Sequence, residues 1–355
     1  MLNILKGTEP GVTAGLDVGG ARIKVVVPRF RKTVLAGAGD SEAMGIAGGK
    51  VCDEKGAARS LAEALAKAEQ AARLKIKKVF LGISPAEAEF LPVHARAAFK
   101  KRRVIRKKDL DTLLRAGGVP LPAGHQVVQV FPREFSGPGH FAFRSPAGIE
   151  GEYLEWRGMA VTVQKSLVDR LTSLLNELGI GVAGIALNVA AAAGAVLGEV
   201  EKQVGAAVFD LGSQTTGFAL FKNGVLWEAG VLPVGSAHIT ADLAIGLGTS
   251  LAAAESLKRR TGLCGGDDER EAVFIVRARV EETLSLLKER IGTRTAFPCG
   301  IVLTGGGALL KGLPELTAEF FGVPVRVGAP RGCVFPAGFS PDPAWCASVG
   351  LIQQN

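Results

Sequence analysis

Two stretches far apart in the chain repeat one design, and this repeat constrains the fold more than any other feature of the sequence. Gly15–Lys24 and Phe209–Thr216 each read as an apolar strand ending in Asp, then a Gly and a tight polar turn into a second strand. A third stretch, Ile301–Leu310, reads as a strand that runs into three glycines and then a helix. A backbone without side chains lets several N–H groups converge on phosphate oxygens, and a neighbouring carboxylate can hold Mg²⁺ through water. The three stretches together predict two phosphate loops and a nucleoside loop.

Glycine is abundant in this chain, so the ordered set of three loops carries more weight than any one of them. With 47 glycines in 355 residues, a single Gly pair is as well explained by a tight hairpin or a helix start as by a phosphate loop.

A chain of this length exceeds what one hydrophobic core usually serves, so two lobes are expected. Apolar residues at 47% and charged residues at 21% are ordinary for a globular protein and argue against disorder.

Cysteines and apolar stretches argue against other protein classes. The five cysteines are scattered without a CxxC pair and there are four histidines, so neither a disulfide framework nor a structural zinc site is expected, and the cytoplasm is favoured. Met1–Val12 has no long apolar core and does not read as a signal peptide. Val182–Gly198, the most apolar stretch, is rich in Ala and Gly and falls short of the ~20 strongly apolar residues of a membrane span. No membrane crossing is predicted.

Hydrophobic periodicity predicts an alternating α/β chain with an insertion. From about 85 to 164 the pattern changes to short β pieces broken by Gly and Pro, with one helix near 108–116. Strands are predicted at about 13–18, 23–28, 32–37, 79–83 and 182–187, and helices at 57–75, 167–178, 190–195, 278–291 and 343–352.

One stretch of the second half is far more specific than the glycines. Pro233–Ser250, followed by Ala254–Lys258, is similar to a segment of the bacterial cell-division proteins FtsA, members of the actin/Hsp70/sugar-kinase ATPase superfamily. Further matching segments are Val79–Ser84, Val130–Phe135, Ser145–Gly151 and Gly312–Gly328. The chain resembles this family from about residue 12 to 352.

The resemblance implies an α/β, two-lobed actin/Hsp70-like ATPase fold with an FtsA-type inserted subdomain in the first lobe. The implied divisions are 12–84 for the N-terminal part of the first lobe, 85–165 for the inserted α+β subdomain, 166–198 for the rest of the first lobe and the lobe connection, 199–340 for the second lobe with a shortened subdomain at about 259–299, and 341–355 for a C-terminal helix that returns to the first lobe.

The resemblance also implies a site for ATP and Mg²⁺, with Asp17 and Asp210 holding the metal through water. The implied phosphate-loop residues are Asp17, Gly19, Gly20 and Lys24 in the first loop and Asp210, Gly212, Ser213, Gln214, Thr215 and Thr216 in the second. Gly305, Gly306, Gly307 and Ala308 would approach the α-phosphate and adenosine, with a helix beginning near Ala308 offering its N-terminal dipole. Glu255 and Lys258 would bracket the ribose and base; without the family motif they read as a surface ion pair on one helix face.

Three departures from the family pattern bear on hydrolysis. Ala21 replaces a small hydroxyl residue, and Gly217 stands where many relatives carry Asp or another polar residue. Asn188, the candidate water-positioning residue, aligns where relatives often carry Glu or Gln, and its shorter amide would reach less far toward a water at the γ-phosphate. We expect ATP binding with slow or no hydrolysis.

Partner surfaces of the family are only partly visible. The interval from Lys258 to Ile301 is short for the subdomain that in FtsA docks the C-terminal tail of the tubulin-like protein FtsZ, and no amphipathic membrane tail follows the closing helix. The basic run of 100–103 and 106–108 reads as a solvated face, or as a surface for an acidic protein segment or anionic lipid headgroups. Nucleic acid is not expected, because no stacking aromatic residues interleave with the run.

The implied function is that of an ATP-binding adaptor of the FtsZ ring in septum assembly. Such a protein would self-associate and work in the cytoplasm at the inner face of the cell membrane, reached peripherally or through a partner. One alternative is a PilM-like type IV pilus assembly protein, which shares the fold and the insertion. Another is a small-molecule kinase of the same superfamily, which would need a catalytic carboxylate near Asn188, and none is apparent there.

Overall fold

Two five-stranded sheets built to the same plan form the two lobes. The computed structural model describes residues 11–29, 34–106, 108–109, 119, 121–137, 140–143, 148–292, 297–336 and 338–353. The first sheet has the order β11-β6-β1-β2-β3 and the second the order β14-β13-β12-β15-β16. The first sheet consists of β1 (Val12–Val18), β2 (Arg22–Pro28), β3 (Leu35–Glu42), β6 (Ile76–Ile83) and β11 (Gly181–Leu187). The second consists of β12 (Ala206–Leu211), β13 (Thr216–Lys222), β14 (Val225–Leu232), β15 (Ile301–Thr304) and β16 (Val325–Val327).

Each lobe begins with an antiparallel meander and continues with parallel strands. β1 pairs antiparallel with β2 and parallel with β6, and β12 pairs in the same way with β13 and β15. The loops predicted to bind phosphate are therefore the tight turns β1–β2 and β12–β13, at equivalent places in two similar sheets. Both strands of each turn are buried and apolar, so the pairing register is fixed by the core.

Helices cover the sheets with the periodicities expected from the sequence. α1 (Glu54–Ala72) is capped by the Asp53 side chain and buries Leu61, Ala64 and Ala68 against the first sheet. The second lobe has its own core, which includes Phe209, Val276 and Leu284. The other helices are α2 (Lys165–Glu177), α3 (Asn188–Val196), α4 (Glu199–Val204), α5 (Ser236–Gly246), α6 (Leu251–Thr261), α7 (Arg270–Ile291), α8 (Leu313–Phe321) and α9 (Cys346–Gln353).

The Ala-rich helix α3 contacts strands of both lobes. α3 leads from the first lobe toward the second and packs against α9 at very short range, since a Cβ on Gly350 would lie 1.8 Å from the carbonyl oxygen of Ala191. A Cβ on Gly15 would likewise lie 2.3 Å from the Ser348 carbonyl oxygen. The helix α9 can approach α3 and strand β1 this closely only because Gly350 and Gly15 have no side chain.

The insertion is an antiparallel sheet with its own small core. Its strands are β7 (Glu89–Val104), β8 (His125–Gly137), β9 (His140–Phe143) and β10 (Glu150–Gln164), in the order β7-β10-β8-β9. Three of these strands are far longer than the short pieces expected. Gly158 and Pro132 meet where the register between β10 and β8 shifts, so here Gly and Pro mark an irregularity inside a strand rather than its end.

Two further expectations concern this fold. The helix expected near 108–116 falls mostly outside the described residues. The interval predicted as a shortened subdomain contains the end of α6, a short 3-10 turn at Asp267–Glu269 and the long α7. The limits of the five predicted divisions stay predictions. Among the described residues, no helix is long and apolar enough to span a membrane.

Candidate nucleotide site

The two predicted phosphate loops have the same backbone geometry. The N–H of Gly212 donates to the carbonyl of Thr215 at 2.9 Å, and a Cβ on Gly212 would lie 2.8 Å from that carbonyl oxygen. In the first loop, a Cβ on Gly19 would lie 2.7 Å from the carbonyl oxygen of Arg22. Both turns therefore leave no room for a side chain, for the same steric reason.

The first loop places a buried carboxylate beside one cation. Asp17, only 5% exposed, lies opposite Lys24 in the β1–β2 register, and its Oδ2 is 3.7 Å from the lysine Nζ. Burial raises the pKa of Asp17, while the charge of Lys24 and the hydrogen bond from Asn188 act to lower it. The lysine compensates only part of the cost of removing this carboxylate from water.

The second loop contributes a carboxylate without a cation of its own. Asp210 lies opposite Gly217 in the β12–β13 register, where the first lobe has Lys24. Burial, followed by the nearby charge of Asp17, raises the pKa of Asp210 to about 7, although Lys24 acts in the opposite direction. Asp17 and Asp210 repel each other across the lobe junction, and Lys24 compensates only part of their negative charge. The site therefore favours binding of a further cation.

Asn188 lies at the first position of α3 and holds Asp17. Its Nδ2 donates to Asp17 Oδ1 at 2.7 Å, while its Oδ1 is buried without a hydrogen-bond partner among the described residues. That oxygen lies close to Gly82, where a Cβ would be 2.1 Å away. The amide predicted to position a water is thus engaged with the carboxylate, 171 residues away in sequence.

Gln214, at the tip of the second loop, reaches across to the first lobe. Its Oε1 accepts a hydrogen bond from the Gly48 N–H at 2.5 Å. A Cβ on Gly20 would lie 3.0 Å from the same oxygen, so the amide also contacts the first phosphate loop. Sequence reasoning did not identify Gly48; the available signal was the pair Gly48–Gly49 in a short hairpin.

Two other predicted residues of the second loop are tied to the loop that follows β14 and to the start of α5. The Thr216 hydroxyl donates to the carbonyl of Val234 at 2.7 Å and is fully buried, and the Ser213 carbonyl accepts from the Ala237 N–H at 2.8 Å. Thr216 therefore holds the shape of the loop.

The glycine-rich third loop closes over Asp210. Gly305 has φ of 79°, and a Cβ there would lie 2.5 Å from Asp210 Oδ1, so only glycine suits this position. A Cβ on Gly307 would lie 2.8 Å from Leu211 Cβ, whereas nothing lies within 4 Å of one on Gly306. The helix expected near Ala308 is a 3-10 turn of Gly306–Leu309. The α-helix α8 begins only at Leu313, because the left-handed conformation of Gly312, with φ of 79°, separates it from that turn.

Glu255 and Lys258 form part of a buried network at the start of α5. Lys258 Nζ donates to the Ser236 carbonyl at 3.0 Å and to the Thr240 hydroxyl at 2.8 Å, and it lies 2.6 Å from Glu255 Oε2. Burial acts to raise the pKa of Glu255, but hydrogen bonds from Lys258, Thr240 and Arg259 outweigh it and lower that pKa to about 2. The pair is therefore more than a surface ion pair, since it ties α6 to α5.

The donor set at the lobe junction fits a hydrated magnesium ion with a bound phosphate. No group of three or more His, Cys, Asp or Glu side chains that could hold a metal occurs among the described residues. Two carboxylates cannot complete the six oxygen ligands of Mg²⁺, so water and phosphate oxygens would supply the rest. This is the usual way in which Mg²⁺ binds together with a nucleotide.

Comparison with known proteins shows similarity to the cell division proteins FtsA. The family model described as "Cell division protein FtsA" matches residues 207–350. FtsA of Bacillus subtilis is 29% identical over 95% of this chain and 82% of its own length. FtsA of Pseudomonas aeruginosa is 28% identical over 96% of this chain and 88% of its own, and FtsA of Escherichia coli K12 is 24% identical over 99% and 91%.

Solved structures agree with the two-lobed architecture. A chain of the PilM-PilN type IV pilus biogenesis complex superposes with a TM-score of 0.70 at 18% identity, covering 97% of this chain and 99% of its own. MreB5 of Spiroplasma citri bound to ADP superposes with a TM-score of 0.59 at 13% identity, covering 96% and 95%. These likenesses confirm the actin-like fold. The resemblance of nearly the whole chain to the cell division proteins FtsA is confirmed by the relatives from Bacillus subtilis, Pseudomonas aeruginosa and Escherichia coli.

Proposed function

We propose that this chain binds Mg·ATP between its lobes and acts in cell division as an adaptor of the FtsZ ring, with slow or no hydrolysis. The observation that carries the nucleotide site is the pair Asp17 and Asp210, two carboxylates with raised pKa values, each followed by a tight glycine turn, whose charges interact between the lobes. A bound Mg²⁺ would neutralise charge on both the phosphates and these carboxylates. Lys24 would balance further phosphate charge, and the open backbone at Gly306 would admit the nucleoside side of the ligand.

The position of Asn188 supports the proposal of slow hydrolysis. Its Nδ2 is bound to Asp17 at 2.7 Å and its Oδ1 lies against Gly82, so the amide N–H is already engaged with a carboxylate. Gly217 stands where many relatives carry Asp or another polar residue, and it supplies no carboxylate. There is also no room for a side chain at this position, because a Cβ on Gly217 would lie 2.7 Å from Val189 Cβ of α3. This chain therefore offers little general-base assistance to a water near the terminal phosphate.

Titration calorimetry tests the nucleotide site. We expect heat of binding with ATP and ADP in the presence of Mg²⁺, and at least tenfold weaker binding in Asp17→Asn and Asp210→Asn. The exposed carboxylate Asp268 supplies the matched control, Asp268→Asn, which should bind as the wild type does. Absence of binding by the wild type at millimolar nucleotide would refute the site. Phosphate release on the order of 10 s⁻¹, a rate typical of metabolic enzymes, would favour the kinase alternative over an adaptor.

An apolar surface on the second lobe supports a peptide partner such as the FtsZ tail. Ile245 of α5 and Phe274 of α7 are 81% and 72% exposed, and the two helices pack together with Gly246 against Ile275. Exposed apolar side chains that lie close together on adjoining helices suit an apolar peptide segment. The similarity to FtsA supports FtsZ as its source.

Fluorescence anisotropy with a labelled FtsZ C-terminal peptide tests this partner. Phe274→Asp should weaken binding at least tenfold, whereas Val200→Asp, at a 71% exposed position on α4, should not. Equal binding by both variants would reject this surface. A PilM-like role has support only from the fold, and capture of pilus proteins rather than FtsZ by the native protein would favour it.

Self-association and peripheral membrane attachment complete the proposal. The basic strand end of 100–103 is exposed and rich in positive charge, although Arg103 is paired with Asp109 at 2.7 Å. Attraction of this segment to anionic headgroups would be weak and screened over about 8 Å at physiological salt. Sedimentation with anionic and neutral vesicles measures it, and salt-resistant binding to neutral lipid would contradict it.

A further inference from the structure

The hydrogen bond between Gln214 and Gly48 joins the lobes at the phosphate loops rather than at the crossing helices α3 and α9. Gly48 lies in a two-residue hairpin turn between β4 (Ile46–Ala47) and β5 (Lys50–Val51), with φ of 57° at Gly48 and 80° at Gly49. In such a turn the N–H of the first turn residue is directed away from the hairpin and needs an outside acceptor. The Oε1 of Gln214 is that acceptor, from the opposite lobe.

The surroundings of the amide make this contact specific for a long side chain. Gly20 leaves room for the amide, since a Cβ at that position would lie 3.0 Å from Oε1 and 3.2 Å from Cδ of Gln214. The same side chain thus contacts two backbone segments of the first lobe, the first phosphate loop and the hairpin. In the part of the chain that the structure describes, Gln214 Nε2 donates to no protein acceptor, so both of its N–H groups stay available to an anion.

We propose that Gln214 is a latch that holds the two lobes together across the two glycine turns and slows nucleotide exchange. The exchange part of this proposal rests on the proposed function, whereas the latch itself does not. A phosphate group between the two turns is enclosed as long as the Gln214 amide contacts Gly48 and Gly20. Release of the nucleotide requires that contact to open.

Amide hydrogen exchange of the nucleotide-free protein tests the latch directly. We expect the Gly48 N–H to be protected in the wild type although it belongs to no backbone hydrogen-bond pair of the hairpin. Gln214→Leu keeps the size of the side chain and removes the acceptor, so exchange at Gly48 should rise about tenfold. Gln70→Leu, at an exposed position on α1, is the matched control and should leave Gly48 unchanged.

Two results overturn the latch: a Gly48 amide that exchanges at the unprotected rate in the wild type, or one that stays equally protected in Gln214→Leu. The wild-type measurement decides the question even if the variant does not fold.

Release of a fluorescent ADP analogue from Gln214→Leu tests the exchange part separately. Release at least fivefold faster than from wild type and from Gln70→Leu supports it, and release at the wild-type rate rejects it. If the wild type binds no nucleotide, the proposed function fails while the exchange measurement at Gly48 still decides the latch.

Discussion

Replacing Asp210 by Asn should stabilise the protein in the absence of nucleotide and weaken its binding of Mg·ATP. Asp210 is partly buried beside Asp17, and its pKa rises from 3.8 to about 7 because of burial and of the neighbouring negative charge. Asparagine has nearly the same shape and no charge. The substitution therefore removes a repulsion that the folded protein carries at neutral pH.

The sign and size follow from proton linkage. Since the folded state holds the Asp210 proton more tightly than the unfolded state, stability falls as the pH rises from about 4 to about 7 and then levels off. Such a change in pKa corresponds to about 4 kcal/mol at most. Because the Asp210 carboxylate is partly exposed, solvent screening reduces this, and we expect about 1–3 kcal/mol at pH 8.

Thermal and urea unfolding without nucleotide or Mg²⁺, at pH 5 and pH 8, measures this gain. Asp210→Asn should unfold later than wild type at pH 8, and the difference should shrink at pH 5. The exposed variant Asp268→Asn should follow wild type at both values. In the presence of Mg·ATP, ligand stabilisation should favour the wild type instead. A variant that is less stable than wild type at pH 8 would show that Asp210 supports the fold and would refute the reasoning.

Two further predictions concern packing and a buried ion pair. Gly350→Ala should destabilise the protein by more than about 3 kcal/mol, because the added Cβ would lie 1.8 Å from the Ala191 carbonyl oxygen where α3 and α9 cross, and chemical denaturation that finds no loss would contradict this packing. Lys258→Met should cost about 1–3 kcal/mol at pH 7 by leaving Glu255 partly uncompensated. Since the pKa of Glu255 is lowered to about 2, the stability that it gains from its partners is lost as the pH falls below about 4.5, so the cost of the variant should diminish in acid and a pH-independent cost would refute it.

Local patterns in the sequence were enough to predict most of the elements and both Asp-Gly turns. The Asp-Gly turns could be predicted because a buried apolar strand must end at a turn. Only Gly fits there, since a Cβ at either position would lie 2.7–2.8 Å from a carbonyl oxygen. The helix predicted at 190–195 is the alanine-rich α3, whose small side chains allow close packing against α9. In the insertion, by contrast, Gly and Pro were read as strand ends, although at Gly158 and Pro132 pairing of the neighbouring strands continues past them.

Only the tertiary structure decided what surrounds these loops. Asn188 binds Asp17 from 171 residues away and Gln214 binds Gly48 from 166 residues away, and no local pattern specifies either pairing. The raised pKa of Asp210 also depends on the first lobe, because Asp17 and Lys24 act on it only once the sheets face each other. The sequence thus determined two similar turns, each shaped by its own strands, whereas the electrostatics and contacts between them exist only when folding brings the lobes together.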